Sequence, residues 1–231
     1  MGDLKARIGE RLLKRDYGEI LSDCGPSRRT VRLLRSLLYS PDDLLRWRTV
    51  TMFGWLAANH PKLIAPDVQR LIWSLNDEAG SIGRGAPETI GEMARSNLPL
   101  AREGIHIVAH YLEDRETCRP PKRNLEILIG ALWAVGRVGG KHPSVVVEVS
   151  PTLLSFLADT DPEVRGHALW ALGQIRSENR RDAAEARVGD SGKVVLYEKE
   201  DLRETTVGSI ASVLLASLNE APRESDDVSL G

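Results

Sequence analysis

The chain has 231 residues, of which 42% are hydrophobic and 28% charged, and this balance excludes disorder over most of its length. Its 31 Lys and Arg against 33 Asp and Glu leave a net charge of −2, which gives no overall attraction to nucleic acid. Two widely separated cysteines, together with the lack of an apolar signal segment or a long apolar run, predict a cytoplasmic protein that does not enter a membrane.

Apolar residues recur at helical spacing along most of the chain, and they predict an all-α fold built from helix pairs. A helix over 4–14 precedes the first pair. The pairs are predicted at 27–38 with 42–57, 62–75 with 84–95, 99–113 with 120–138, and 144–158 with 162–176. They indicate an α-solenoid, a superhelix of about four to five pairs, because no pair can bury its apolar stripes without stacked neighbours.

The C-terminal part of the chain differs from these pairs. Strand-like residues at 186–188, 194–197 and 202–207 surround Gly-containing turns, and they predict a small β-hairpin within about 186–207. A last helix is predicted over 208–218. We expect residues 1–218 to form a single repeat domain and residues 219–231, which are polar and acidic, to form a flexible tail.

The strongest sequence signal is an internal repeat in which a Leu that closes one helix precedes a Gly in the next. In three copies the Leu and the Gly are 16 residues apart: Leu38 and Gly54, Leu75 and Gly91, and Leu157 and Gly173. In the remaining copy, the third along the chain, Leu112 and Gly136 are 24 residues apart. The four glycines follow one another at 37, 45 and 37 residues, which is the period of helix-pair solenoids. We expect these glycines to occupy equivalent positions in successive second helices.

The clearest copy runs over 157–173 and contains Thr160-Asp161-Pro162, a helix start with a capping residue and an early Pro. This copy resembles the HEAT-like repeat of the phycobilisome-lyase type, and the resemblance extends over about 27–177. It implies a HEAT or armadillo type of scaffold in which Asp159 faces Arg165. A resemblance of this kind identifies a scaffold and assigns no activity.

A metal site is conceivable on the helix at 99–113, where four side chains share one face. These are Glu103, His106, His110 and Glu113. The simpler interpretation is that they form the solvated flank of a buried stripe. The sequence has no nucleophile motif, phosphate-binding Gly loop or His-Glu-x-x-His, so we expect no cofactor.

The longer turn of the third copy is basic and contains Arg115, Arg119, Lys122 and Arg123 beside two prolines. Such a loop could hold an acidic peptide or a phosphate, because Arg binds both through charged hydrogen bonds. More often such a basic run is simply a solvated turn.

Aromatic and charged residues fall outside the apolar stripe of the second helices. Trp170, for example, lies about 240° around its helix from Val164. When the second helices are aligned on their repeat glycines, the residues on this side of the helices include Trp47, Trp55, Arg84, Glu88, Glu92, Trp133, Arg137, Trp170 and Gln174. The HEAT resemblance implies that second helices line a concave groove, so these residues form a candidate partner-binding surface. The alternative is that the rings pack between adjacent second helices.

These observations predict an interaction scaffold that binds a protein or peptide partner in its groove. Glu88 and Glu92 favour a ligand with Lys or Arg, and they make nucleic acid the weaker alternative. A lyase-type or metal-dependent enzyme rests on the family resemblance alone. The sequence leaves the oligomeric state open.

Overall fold

Twelve α-helices and one hairpin make up the part of the chain that the computed structural model describes, residues 2–75, 83–114, 118 and 123–220. The helices are α1 (Gly2–Lys14), α2 (Tyr17–Cys24), α3 (Arg28–Leu37), α4 (Asp43–Asn59), α5 (Pro61–Leu75), α6 (Ala86–Ser96), α7 (Leu98–Glu113), α8 (Leu125–Gly139), α9 (Ser150–Phe156), α10 (Pro162–Ile175), α11 (Arg180–Glu185) and α12 (Val207–Glu220). The hairpin consists of β1 (Lys193–Glu198) and β2 (Asp201–Thr206).

The helices stack as a solenoid. The second helices of the pairs, α4, α6, α8 and α10, contact one another in this order, and α12 continues the row. Helices α3, α5, α7 and α9 precede them in the pairs. The predicted all-α solenoid with a C-terminal hairpin is therefore confirmed, and its buried apolar core is continuous from α1 to α12.

The repeat glycines lie where successive second helices approach most closely. A Cβ atom at Gly91 would lie 2.7 Å from Cβ of Ala134 on α8, and one at Gly136 would lie 2.5 Å from the Trp170 ring on α10. Gly54 faces Glu92 in the same way, and Gly173 faces Leu214 on α12. The prediction of equivalent positions is confirmed, because each glycine leaves space for the following second helix.

Polar side chains at the helix starts explain where several helices begin. Asp42, Asn97, Asn124 and Asp161 each accept a hydrogen bond from a backbone N–H in the first turn of α4, α7, α8 and α10. Such caps satisfy N–H groups that have no partner inside the helix.

Several predicted boundaries are wrong. The segment predicted as a helix over 144–158 starts with two 3-10 turns, Pro143–Val145 and Val147–Val149, because prolines and β-branched residues disfavour a regular helix there. Residues 186–188 form a turn instead of a strand. Helices α2 and α11 were not predicted, and α12 extends to 220, into the region predicted as a tail. Residues 221–231 lie outside the described residues.

The hairpin has a two-residue turn with an unusual backbone. Lys199 and Glu200 have φ angles of 51° and 63°, the pattern of a type I′ turn, which is normally made by Asn-Gly. Pairing of the strands runs from Lys193 with Thr206 to Glu198 with Asp201. Alternation along β1 buries Val194 and Leu196 against the helices.

Candidate functional site

The hairpin lies on the row of second helices and completes an aromatic cluster. Tyr197 of β1 stacks on Trp47 of α4, with ring centroids 4.8 Å apart and an interplanar angle of 15°. Trp47 contacts the edge of Trp133 on α8 at 4.7 Å, and Trp133 stacks on Trp170 of α10 at 6.3 Å. Three repeats and the hairpin therefore share one apolar contact surface.

Polar contacts fix the position of β1 on this cluster. Trp133 Nε1 donates to the backbone oxygen of Tyr197 at 3.0 Å, and Trp170 Nε1 donates to Glu198 Oε1 at 2.8 Å. The hydroxyls of Thr51 and Tyr197 lie 2.8 Å apart. Burial raises the pKa of the Tyr197 phenol to about 12, so it remains neutral. The two indole N–H groups that would otherwise be buried without acceptors are thus satisfied.

The tip of the hairpin is bound by the N-terminal helices. Arg48 Nε on α4 donates to the backbone oxygen of Glu200 at 3.2 Å, and the Tyr17 hydroxyl donates to the carboxylate of Glu200 at 2.9 Å. Arg15 donates to the same backbone oxygen at 3.4 Å. Burial raises the pKa of Tyr17, which keeps its hydroxyl a donor. The hairpin therefore connects the two ends of the solenoid.

Three of the predicted groove tryptophans are buried in the aromatic cluster. The exposed fractions are 5% for Trp47, 1% for Trp133 and 8% for Trp170. The rings are neighbours, as the repeat predicts, but the hairpin covers them because this removes their apolar surface from water. Trp55 lies outside the cluster, half-buried and 5.5 Å from the ring of His60.

The charged residues of the predicted groove pair with one another. Glu88 accepts from Arg46 at 3.1 Å, and Glu92 accepts from Arg137 at 2.6 Å. Burial raises the pKa of Glu88, and the charge of Arg46 offsets part of this rise. Both carboxylates are therefore buried and paired with arginines of the chain. They are not exposed to a ligand with Lys or Arg, which removes the basis for expecting one.

Arg84 occupies a more open position at the edge of the same helix row. It lies 3.2 Å from Asp43 and 3.6 Å from Glu126, so it connects neighbouring repeats by exposed ion pairs. Such pairs contribute little to stability.

One open cleft remains beside the covered cluster. It has a volume of about 230 Å³ and lies between α10, the hairpin and α12. Its walls are mainly apolar, and Gln174, Glu198, Arg203 and Ser217 supply polar groups. Trp170 lines one side and Val213, 62% exposed, lines the other. Two residues of the predicted groove, Trp170 and Gln174, thus border an accessible space.

The structure does not gather the four metal-site candidates on α7. Glu103 accepts from Gln69 on α5 at 3.4 Å, whereas His110 contacts Glu113 at 3.1 Å on the exposed side of α7. His106 is exposed. Within the described parts of the chain, no three His, Cys, Asp or Glu side chains are close enough together to hold a metal ion.

Most of the predicted basic loop lies outside the described residues, including Arg115, Arg119 and Lys122. Arg123 is described, and it donates to both carboxylate oxygens of Asp159 at 2.8 and 2.6 Å.

The contact between Asp159 and Arg165 that the HEAT resemblance implies is only partly present. Arg165 donates to the backbone oxygen of Asp159 at 2.8 Å, whereas its guanidinium pairs with the carboxylate of Asp190. The carboxylate of Asp159 is already taken by Arg123, so Arg165 uses a residue near the hairpin.

Sequence reasoning missed the residues that position the hairpin. These are Arg15, Tyr17, Arg48, Tyr197, Glu198 and Glu200. The one available signal was the aromatic residue Tyr197 within a strand that also contains Val194 and Leu196, because this composition indicates a strand buried on one side. Its contact surface was not predictable from local spacing.

Comparisons with known proteins support the repeat assignment. Residues 126–175, which extend from α8 through α10, match the model of the HEAT-like repeat family. No curated protein matches the sequence. The crystal structure of an engineered protein from the Northeast Structural Genomics Consortium is similar, with a TM-score of 0.50 and 15% identity. The match covers 88% of this chain and 50% of that protein, and it shows the fold alone.

None of the helices in the described ranges is both long enough and apolar enough to span a membrane.

Proposed function

We propose that this HEAT-like repeat protein is an interaction scaffold that binds a segment of a protein partner in the cleft beside Trp170. The observation that carries the proposal is an open, mainly apolar cleft beside the covered aromatic cluster, between α10, the hairpin and α12. Val213 at its edge is 62% exposed although α12 is anchored through Val207, Ile210 and Ala211. An exposed apolar residue beside a cleft is typical of an interaction site.

The size of the cleft favours a single anchoring side chain. Its volume of about 230 Å³ is below the roughly 300–1,000 Å³ of sites that enclose a whole small-molecule ligand. Leu169, Leu196 and Leu214 suit an apolar side chain, and a partner would gain affinity by filling the space that they surround.

The polar groups at the cleft suit an extended peptide backbone. Gln174 and Ser217 can donate or accept, while Glu198 accepts and Arg203 donates. Glu198 is oriented by its bond from Trp170, so the covered aromatic cluster supports the cleft from below. In this proposal Trp170 and Gln174 contact the partner, whereas Trp47 and Trp133 hold the hairpin.

Nucleic acid fits this cleft less well. Recognition of single strands uses stacking on exposed aromatic rings beside several cations, but the rings here are covered, and Arg203 is the cation that lines the cleft. We expect the scaffold to act in a reducing compartment such as the cytoplasm, since Cys24 and Cys118 are not joined by a disulfide.

Photochemical crosslinking tests the proposal. Benzoylphenylalanine in place of Val213 should capture a protein from an extract of the source cells, which mass spectrometry then identifies. The same group in place of Val147, which is 44% exposed on another part of the solenoid, is the control. We expect the captured protein at Val213 and not at Val147.

Direct binding then separates a specific site from a merely accessible one. Val213→Asp should weaken binding of the purified partner by about tenfold or more, because a carboxylate at the edge of the cleft must be desolvated. Val147→Asp should leave the affinity unchanged. Equal effects of the two substitutions, or capture at both positions alike, would contradict the proposal.

A further inference from the structure

A second surface lies on the outer sides of α3, α5 and α7, and it is separate from the cleft. Its central residue is Trp73 on α5, which is 72% exposed. The core-facing side of α5 is formed by Ile64, Val68 and Leu71, and Trp73 has no place among them. A Trp left in water forgoes the burial that stabilises other large apolar side chains.

Exposed cations lie on α3 and on α5 itself. Arg28 and Arg35 of α3 both donate to the carboxylate of Asp67 on α5, so the two helices approach each other at this residue. Arg32 falls between them on the same face of α3, because residues three and four apart are neighbours on a helix. Two guanidinium groups share the one carboxylate of Asp67, which leaves the α3 side of the surface positively charged.

The surface continues from α5 to α7. Gln69 of α5 donates to Glu103 of α7 at 3.4 Å, which places the exposed sides of these helices next to each other. Arg70 lies one turn before Trp73, and Arg102 is adjacent to Glu103. We call this surface the basic outer face and define it by its exposed residues Arg29, Arg32, Lys62, Arg70, Trp73 and Arg102.

Its charge is largely uncompensated. In the described portion of the chain, none of these five cations makes an ion pair, and Glu103 is the exposed carboxylate next to them. Asp77 and Glu78 follow α5 in the sequence but lie outside the described residues. A protein with a net charge of −2 thus presents five exposed cations and one exposed aromatic ring on the outer sides of α3, α5 and α7.

We propose that the basic outer face binds an acidic segment of a protein that carries one apolar residue. Asp and Glu of such a segment would pair with the arginines, and its apolar residue would cover Trp73. A nucleic acid is disfavoured because stacking platforms present several rings for successive bases, and the described part of this face exposes Trp73 alone.

Labelled peptides test this proposal with the full chain. The probes are short fluorescein-labelled peptides of Asp and Glu around a central Leu or Phe, and an oligo(dT) strand with the same number of charges serves for comparison. Fluorescence anisotropy should show saturable binding of the peptides and weaker binding of oligo(dT). Trp73→Ala and the double substitution Arg29→Glu, Arg32→Glu should each weaken peptide binding by about tenfold or more.

Two control variants distinguish this face from general charge and exposure. Lys141→Glu with Lys193→Glu reverses two exposed cations elsewhere, and Val147→Ala removes another exposed apolar side chain. Both should bind the peptides like the original protein. Absence of peptide binding, equal losses in the controls, or tighter binding of oligo(dT) would overturn the proposal. None of these results bears on capture at Val213, so the two proposals fail independently.

Discussion

Trp133 on α8 donates its indole hydrogen to the backbone oxygen of Tyr197 on β1 at 3.0 Å, although the two residues are 64 positions apart. The bond is buried, and the ring also contacts Trp47 and Trp170. The hairpin and the helix row therefore share one buried contact surface, and we expect the aromatic cluster to stabilise the fold.

Removing this ring should destabilise the fold. Trp133→Ala should lower the free energy of unfolding by about 3–5 kcal/mol, because it leaves a cavity and an unpaired carbonyl. Trp133→Phe should cost less, since it retains most of the ring contacts. Urea denaturation measures both, with Trp73→Ala as the control, which should change stability by no more than about 0.5 kcal/mol. Equal stability of Trp133→Ala and Trp73→Ala would show that the cluster is not structural.

The repeat glycines should resist substitution. In Gly91→Ala the new Cβ would lie 2.7 Å from Ala134 on the next second helix, so the helices must separate. We expect a loss of about 1–3 kcal/mol in the free energy of unfolding. Gly189→Ala, in a turn, is the control, because no atom beyond its chain neighbours lies within 4 Å of the added group. Thermal or chemical denaturation should rank Gly91→Ala well below the control, and the reverse ranking would contradict the close approach.

A glycine in the hairpin turn should stabilise the folded protein. Lys199 has a φ of 51°, a conformation that costs about 1–2 kcal/mol for a residue with a side chain. Lys199→Gly removes this strain, and after the entropy of Gly in the unfolded chain is subtracted a gain of about 0.5–1 kcal/mol remains. Lys199→Val should instead be destabilising. Melting temperatures of the two variants check the prediction, which a lower value for Lys199→Gly would refute.

Acid should destabilise the protein through His167 between about pH 6.5 and 4. Burial lowers the pKa of His167 from 6.5 to about 4, so the unfolded chain binds this proton more readily than the folded one. Stability is therefore complete above about pH 6.5 and declines as the pH falls towards 4, by about 3 kcal/mol. Arg165 holds the pKa of Asp190 below its usual 3.8, so that carboxylate acts at lower pH.

His167→Gln isolates this contribution, because the glutamine side chain does not titrate. Urea denaturation between pH 6.5 and 4 should show a flatter dependence for His167→Gln than for the original protein. His106→Gln, on the exposed side of α7, should keep the original dependence. The same slope in all three proteins would exclude His167 as the cause.

The sequence by itself determined the helix pairs and their stacking order. Gly54, Gly91, Gly136 and Gly173 mark the closest approach of second helices, and the apolar stripes define which sides of the helices are buried. These features are readable because neighbouring repeats contact each other through residues at a fixed sequence spacing. The same periodicity correctly placed Trp133 beside Trp170.

Only the tertiary structure decided what covers those rings. Tyr17 and Glu200 meet across 183 positions, and no local pattern indicates where a hairpin will dock. The charges show the same limit: the sequence predicts that Asp159 faces Arg165, and no local pattern indicates Arg123, 36 positions away, as its partner. The folded chain places Arg123 within 2.6 Å of the Asp159 carboxylate and leaves Arg165 to Asp190, because distance in three dimensions decides between chemically identical partners.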